Sequence, residues 1–337
     1  MTFSDRLRRT VILAVVYGAA PLGALAQPSD AEIGVLALTF ENDIFAVTDR
    51  NYSNGVKASF TTPANQLPGF VWRGVDGLGL SREGRDWHAT YGVGQRIFTP
   101  TDITARPPDP DDHPYAGHAY LSFALSAATQ TRLDAVRVEI GVTGEPSLAE
   151  ETQKIVHSIV GADRPNGWGS QLPSAPTIGV SYEVVGRYGA DVTGFGIYDL
   201  RAEVLPRGTL ALGTFDTYAG AGVGLRIGTN FADDFGPAHI RPGAVGSGVF
   251  RPQRGFGWSL FAGLDTRLIA RAGAVEGALF NGGGDVRANR AVADASFGAT
   301  ISYDWAELSY AHVIRSETFD AQDSTHQFGA VNLRVRF

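Results

Sequence analysis

Val136-Arg137-Val138-Glu139-Ile140-Gly141-Val142-Thr143 alternates between two kinds of side chain without a slip. Period two is the signature of a β-strand with two unlike faces. Val136, Val138, Ile140 and Val142 share one face; Arg137, Glu139, Gly141 and Thr143 share the other. Working outward, Val56, Ala58 and Phe60 oppose Lys57, Ser59 and Thr61, and Leu121, Phe123 and Leu125 oppose Ser122, Ala124 and Ser126. Val223, Leu225 and Ile227 oppose Gly224 and Arg226, and the chain closes with Val331, Leu333, Val335 and Phe337 against Asn332, Arg334 and Arg336. Strands of about ten residues exceed the usual five or six of soluble sheets and match the tilted crossing of a membrane barrel. The apolar faces need lipid or a second sheet, whereas Arg and Glu suit a wet or hydrogen-bonded lumen.

The fold expected is therefore all-β: a transmembrane antiparallel β-barrel of about twelve strands. They fall near 31–41, 53–62, 87–98, 117–126, 133–143, 177–186, 194–207, 209–228, 257–272, 290–303, 305–316 and 325–337. An even count returns both termini to the periplasm, and the same parity puts the long stretch 229–255 on that side. Pro206-Arg207-Gly208 reads as a turn closing the seventh strand or as a kink in a longer one.

Composition removes several function classes. Among 337 residues there is no Cys, which excludes disulfides, thiolate nucleophiles and iron–sulfur clusters. A net charge of −7 argues against a nucleic-acid partner. The 42 Gly follow no collagen period. Residues 1–26 read as a secretory signal peptide, with Arg6, Arg8 and Arg9 ahead of an apolar run and Ala24-Leu25-Ala26 as the cleavage site. Its removal takes three Arg and Asp5, moves the charge from −7 to −9, and leaves 27–337 as one barrel domain. A terminal strand ending in Phe337 resembles the signal by which bacterial outer-membrane barrels engage the barrel assembly machinery.

One segment breaks the strand pattern. Ser147 to Gly161 is expected as a helix in an extracellular loop, with Ser147 and Glu150 as a capping box and Gly161 at C′. Leu148, Thr152, Ile155, Val156 and Ile159 form its apolar stripe, and Glu150, Gln153, Lys154 and His157 lie on the other side.

The first hairpin runs Phe40-Glu41-Asn42-Asp43-Ile44-Phe45 through Asn51-Tyr52-Ser53-Asn54-Gly55. Gly94-Gln95-Arg96-Ile97-Phe98-Thr99-Pro100, His113-Pro114-Tyr115-Ala116-Gly117, and His157 with Pro165-Asn166-Gly167-Trp168-Gly169-Ser170-Gln171-Leu172 follow. In this order and spacing the blocks resemble the lipid A 3′-O-deacylase family of Gram-negative outer membranes, LpxR. The resemblance implies calcium-dependent hydrolysis of the ester that holds the 3′-acyloxyacyl group of lipid A in lipopolysaccharide. It further implies a site between the barrel wall and a helix at the extracellular side. By that resemblance the essential His matches His157, the Asn-Asp pair matches Asn42 and Asp43, the hydroxyl after the hairpin Tyr matches Ser53, and an amide one turn before the His matches Gln153. Arg96 and Gln95 correspond to the basic and polar groups near the substrate.

The residue chemistry agrees with these roles. A neutral His157 can take a proton from water. Asp43, with Glu41 or backbone carbonyls, supplies the hard oxygens Ca²⁺ prefers, and a bound Ca²⁺ would act as a Lewis acid on the scissile carbonyl. Asn42 can donate to the oxyanion or join the metal shell. Two rivals remain open. One is a serine-nucleophile outer-membrane phospholipase built on Ser53, whose His-x-Ser-Asn-Gly block here has Asn51 in place of His; the other is a non-enzymatic pore.

Overall fold

Each alternating stretch pairs antiparallel with the next, and the ring closes on itself. The computed structural model describes residues 34–46, 50–192, 200–236, 249–281 and 283–337; the signal peptide read at 1–26 lies outside them. Twelve long strands build the wall: β1 (Val35–Asn42), β2 (Asn51–Thr61), β3 (Asp86–Thr99), β4 (Ala116–Ala128), β5 (Arg132–Thr143), β6 (Pro176–Gly186), β7 (Leu200–Gly213), β8 (Asp216–Thr229), β9 (Phe256–Ala272), β10 (Ala291–Tyr303), β11 (Ala306–Arg315) and β12 (His326–Arg336). Val35 pairs with Arg336, which joins β1 to β12 and seals the barrel. No helix among the described residues is long and apolar enough to cross a membrane.

The alternation sorts side chains as expected. Leu38, Val93, Leu121 and Ile140 are exposed on the outer wall, while Glu41, Arg137, Arg226, Glu307 and Arg334 are buried inside. A one-residue slip in any strand would exchange the two sets. An Arg turned to the lipid face at mid-membrane costs about 2–4 kcal/mol, so register is strongly specified.

The strand count holds, but one boundary does not. Pro206-Arg207-Gly208 is neither a turn nor a strand end; it lies inside β7, and the turn falls at Thr214-Phe215. β6 pauses at Arg187 and resumes as Tyr188–Val192, and the pause lies opposite Leu205-Pro206 in the β6–β7 register. Proline has no N–H to give the ladder, so it is tolerated where the partner strand is interrupted. The Arg187 N–H turns instead to the Thr131 carbonyl, 2.8 Å away.

The lumen is filled by ion pairs. Arg207 grips Asp265 with two 2.6 Å bonds, and Arg315 grips Asp294 at 2.8 and 3.0 Å. At the end that carries the chain termini, the segment after β8 folds back into the barrel. Asp234 is fully buried there between Arg226, at 2.5 Å, and Arg334, which also binds Glu307. Phe231 and Phe250 lie against the Arg226 and Arg334 guanidiniums, 4.2 and 4.5 Å from their ring centres.

Two helices pack on the outside of the wall, both against β3 and β4. Helix α1 (Gly69–Gly77), between β2 and β3, lies at the terminal end. It buries Val71 and Val75, with Leu67, against Trp87, Ala89 and Ala127. Helix α2 (Ala149–Val160), between β5 and β6, lies at the opposite end.

Candidate active site between the wall and the loop helix

Helix α2 does not start as a capping box. A 3-10 turn over Glu145–Ser147 leads to Leu148, which takes left-handed φ 57° at the N-cap. Ser147 is buried, and its Oγ donates to the Gly144 carbonyl at 2.6 Å rather than to the helix. The reason is the wall beneath: a Cβ on Gly117 would overlap Ser147 Oγ and Ala149 Cβ, so this glycine lets the helix start rest on β4. Gln95 Nε2 holds the same point from β3, donating to the Ser147 carbonyl at 2.6 Å. Gly161 closes the helix at φ 72°, as its place in the sequence predicts.

The helix turns its polar side, not its apolar stripe, to the wall. Ala149, Gln153 and His157, spaced by four, are buried against the barrel, whereas Leu148, Ile155 and Ile159 are 59%, 60% and 66% exposed. Tertiary anchors explain the turn. Ala149 packs with Ile97, Ile103, Tyr115 and Trp168, and Tyr115 and Trp168 rings meet at 4.9 Å. Trp168 Nε1 donates to Gln153 Oε1 at 2.8 Å. His157 Nδ1 lies 2.6 Å from the Asp163 carbonyl. A carbonyl only accepts, so Nδ1 carries the proton and Nε2 is the basic nitrogen of the neutral ring.

The facing wall is made by the tops of β1, β2 and β3. Ser53 is the extra residue of a β-bulge in β2, between Tyr52 and Asn54 in the pairing with β3. Bulges re-aim side chains, and this one sets Ser53 Oγ 2.5 Å from Thr99 Oγ1. On β3, Gln95, Ile97 and Thr99 continue the outward face of Val93. Asn42 stands across from Asn54, and Asn54 across from Ile97. Asn42 Oδ1 accepts from the Ile44 N–H at 2.8 Å, and Asp43 Oδ2 from the Arg50 N–H at 2.6 Å, so both shape the first hairpin loop.

Alternation separates the remaining candidates. Glu41 turns into the lumen, where it accepts from Tyr52 OH at 2.8 Å. Arg96 also points inward, to Glu139 at 2.9 Å, Asp216 at 3.1 Å and His118 at 2.7 Å, with Tyr120 and Phe215 against its guanidinium. The structure thus sets Gln95, Asn42, Ser53, Gln153 and His157 on the outer side of the wall, and Arg96 and Glu41 on the inner side. In the neighbouring loop His113 stacks flat on Phe98, and burial pushes its pKa down to about 4.

Asn54 is the functional candidate that motif reading passed over. It is 6% exposed, and among the described residues neither Oδ1 nor Nδ2 has a hydrogen-bond partner. Gln153 Nε2 is likewise buried without one. An unpaired buried amide costs about 1–3 kcal/mol, which a ligand group in the same space would recover. The signal was present in the sequence: Asn54 and Val56 share an outward face, where a polar side chain is out of place unless it has work there.

The donor set also bears on calcium. Among the described residues no three His, Asp or Glu side chains form a group that could hold a metal ion. What the outer wall offers is the neutral oxygens of Asn42, Asn54 and Ser53, and the one carboxylate next to them in the chain is Asp43, in the turn that follows β1; together these are hard oxygens of the kind Ca²⁺ takes. The partnerless Asn54 Oδ1 fits such a ligand; Glu41, on the far side of the wall, is not a member.

Comparison with known proteins identifies the family and the fold. A family model described as outer membrane protein LpxR matches residues 11–337. The chain belongs to the LpxR family. Among solved structures, LpxR from Salmonella typhimurium aligns with a TM-score of 0.69 at 18% identity, covering 90% of this chain and 100% of that one. The β domain of the Bordetella autotransporter BrkA aligns at 0.42 and 11% identity, over 90% of this chain and 98% of that one. A search of curated proteins finds no match. LpxR membership makes this an outer-membrane protein family, and the Salmonella LpxR likeness shows the shared barrel fold.

Proposed function

We propose that this barrel is a lipid A 3′-O-deacylase, hydrolysing the ester that links the 3′-acyloxyacyl group to the sugar. The observation that carries the reading is the inverted helix. α2 turns Gln153 and His157 toward the wall and Leu148, Ile155 and Ile159 away from it, on the outside of the barrel. A helix with its apolar stripe outward suits a hydrocarbon surrounding, and a polar site beneath it is reached sideways from the lipid. Two-faced strands and parity support placing this end in the extracellular leaflet, where lipopolysaccharide resides, with the termini in the periplasm.

His157 Nε2 takes a proton from water while its Nδ1–H stays on the Asp163 carbonyl, which fixes the ring and stabilises the imidazolium. The water oxygen adds to the ester carbonyl. The buried amide N–H groups of Asn54 and Gln153 are the donors available to the oxyanion. Collapse breaks the ester C–O bond; His157 returns its proton to the departing 3′ sugar oxygen, releasing a free hydroxyl and the acyloxyacyl acid. Calcium held by Asp43, Asn42 and Asn54 would supply Lewis-acid polarisation of the same carbonyl. Gln95 and Ser53 line the site, while Arg96 braces the wall from within.

Mass spectrometry of lipid A from cells expressing wild type and His157→Ala tests the proposal. Loss of the 3′ acyl pair with wild type alone supports it. The same loss with both removes His157 from the mechanism, and no change with either removes lipid A as substrate. Ser53→Ala that abolishes turnover and blocks labelling by a serine-reactive probe would favour the serine-nucleophile reading.

A further inference from the structure

The second outer helix carries a surface that the deacylase reading does not use. We infer that α1 and the turn after it form a membrane-interface anchor that binds the phospholipid leaflet on the side of the chain termini. The placement is the first argument. α1 covers Trp87 and Ala89 of β3 and Ala127 of β4, and leans on Phe123 and Leu125, all on the outward face that higher up presents Tyr91, Val93 and Leu121 to lipid. From Ala89 to Gln95, where α2 takes over, the strand rises only about 20 Å. A barrel's apolar band is about 25 Å tall, so lipid must also meet the helix.

The composition of α1 is the second argument. Val71 and Val75 face the wall, and the neighbouring line Phe70, Gly74, Leu78, spaced by four, faces away. Phe70 is 64% exposed and Leu78 76%, with Leu80 exposed just beyond. These residues continue the apolar belt instead of interrupting it, so the occupant the surface fits is acyl chain. The third argument marks the depth. Trp72 sits edge-on to Trp87 at 6.3 Å, and Arg82 covers the Trp72 ring at 4.1 Å while it pairs with Asp76. Indole rings capped by guanidinium are characteristic of the headgroup level, where an aromatic body meets lipid and its charged cover meets water.

The absence of Cys makes the test direct, since single labels can be introduced without background. Phe70→Cys, Leu78→Cys and Glu83→Cys, each carrying a nitroxide, are reconstituted in vesicles of phosphatidylethanolamine and phosphatidylglycerol. Power-saturation EPR compares collisions with oxygen, which concentrates in lipid, and with a nickel chelate, which stays in water. The expected oxygen-to-nickel ratio at 70 and 78 is several-fold above that at 83. Equal ratios at all three positions in barrels that keep their heat-modifiable gel mobility would overturn the proposal. So would nickel contact at 70 and 78 that is blocked only when a second protein is added. None of these readouts depends on deacylase activity.

Discussion

Helices α1 and α2 rest on the same two strands, on the same outer face, at opposite ends of the barrel, yet they bury opposite kinds of side chain. α1 presses Val71 and Val75 to the wall in the ordinary amphipathic manner. α2 presses Gln153 and His157 there and leaves Ile155 and Ile159 outside. Apolar burial is held by solvent exclusion and needs no further partner. Polar burial has to be satisfied group by group, and at α2 this is done by the Trp168 indole and the Asp163 carbonyl, with Gln153 Nε2 left over. On the proposed reading, the difference separates a helix that stabilises and anchors from one that roofs a reaction site.

The contrast can be broken most sharply at His157. His157→Ala should lower deacylation by about 10²–10⁴-fold, the usual range for a lost general base, with unchanged barrel folding on heat-modifiability gels. A variant that unfolds would instead mean that α2 is as structural as α1. At α1 the expectation reverses. Val75→Ala removes a fully buried side chain and should cost about 1–2 kcal/mol in denaturant titration, with turnover per folded molecule unaltered. Trp168→Phe keeps the aromatic packing on Tyr115 but deletes the indole donor to Gln153; kcat should fall about tenfold with KM nearly unchanged. Ile155→Ser, on the outward stripe of α2, should raise KM for lipid A in bilayers several-fold and leave hydrolysis of a short-chain ester in detergent alone.

The smallest expected effect concerns one histidine rather than two helices. His113 is held neutral by burial, with a pKa of about 4 against an ordinary value near 6.5; its contact with the Pro114 carbonyl and nearby Asp112 only partly offset this. The unfolded chain therefore binds the extra proton first as acid is added. Stability from this group is complete above pH 6.5 and is lost as the pH falls toward 4, amounting to about 1 kcal/mol one unit below 6.5. Thermal melts of wild type and His113→Gln across pH 5 to 7 check the sign: the wild-type curve should slope downward with acid more steeply than the variant's.

Much of this was legible in the residues. The two-fold alternation in Val136 to Thr143 named both faces of β5, and the same pattern found twelve strands. At Pro206 the sequence leaves a turn and a longer strand both open, because local turn propensity competes with pairing; only the β6 interruption across from it shows why the proline is tolerated inside β7. Ser147 and Glu150 had the spacing of a cap, but a cap depends on where Ser147 Oγ points, and Gly117 of β4 decided that. Nothing local in Tyr52-Ser53-Asn54-Gly55 singles out Asn54, because its lack of a hydrogen-bond partner among the described residues is a property of three strands together.

What the sequence determined alone was the period, and with it which side chains could share a face. A strand repeats every two residues whatever surrounds it, so lipid-facing and lumen-facing sets were settled before any contact was known. The sequence likewise determined that Ala149, Gln153 and His157 fall on one line of a helix, since 3.6 residues per turn allow nothing else. Which way that line turns was left to the tertiary structure. A helix stripe records two unlike faces but does not say which medium lies on either side, and on the outside of a barrel the apolar medium is outside. The same physics put Arg96 and Gln95, neighbours in the chain, on opposite sides of the wall.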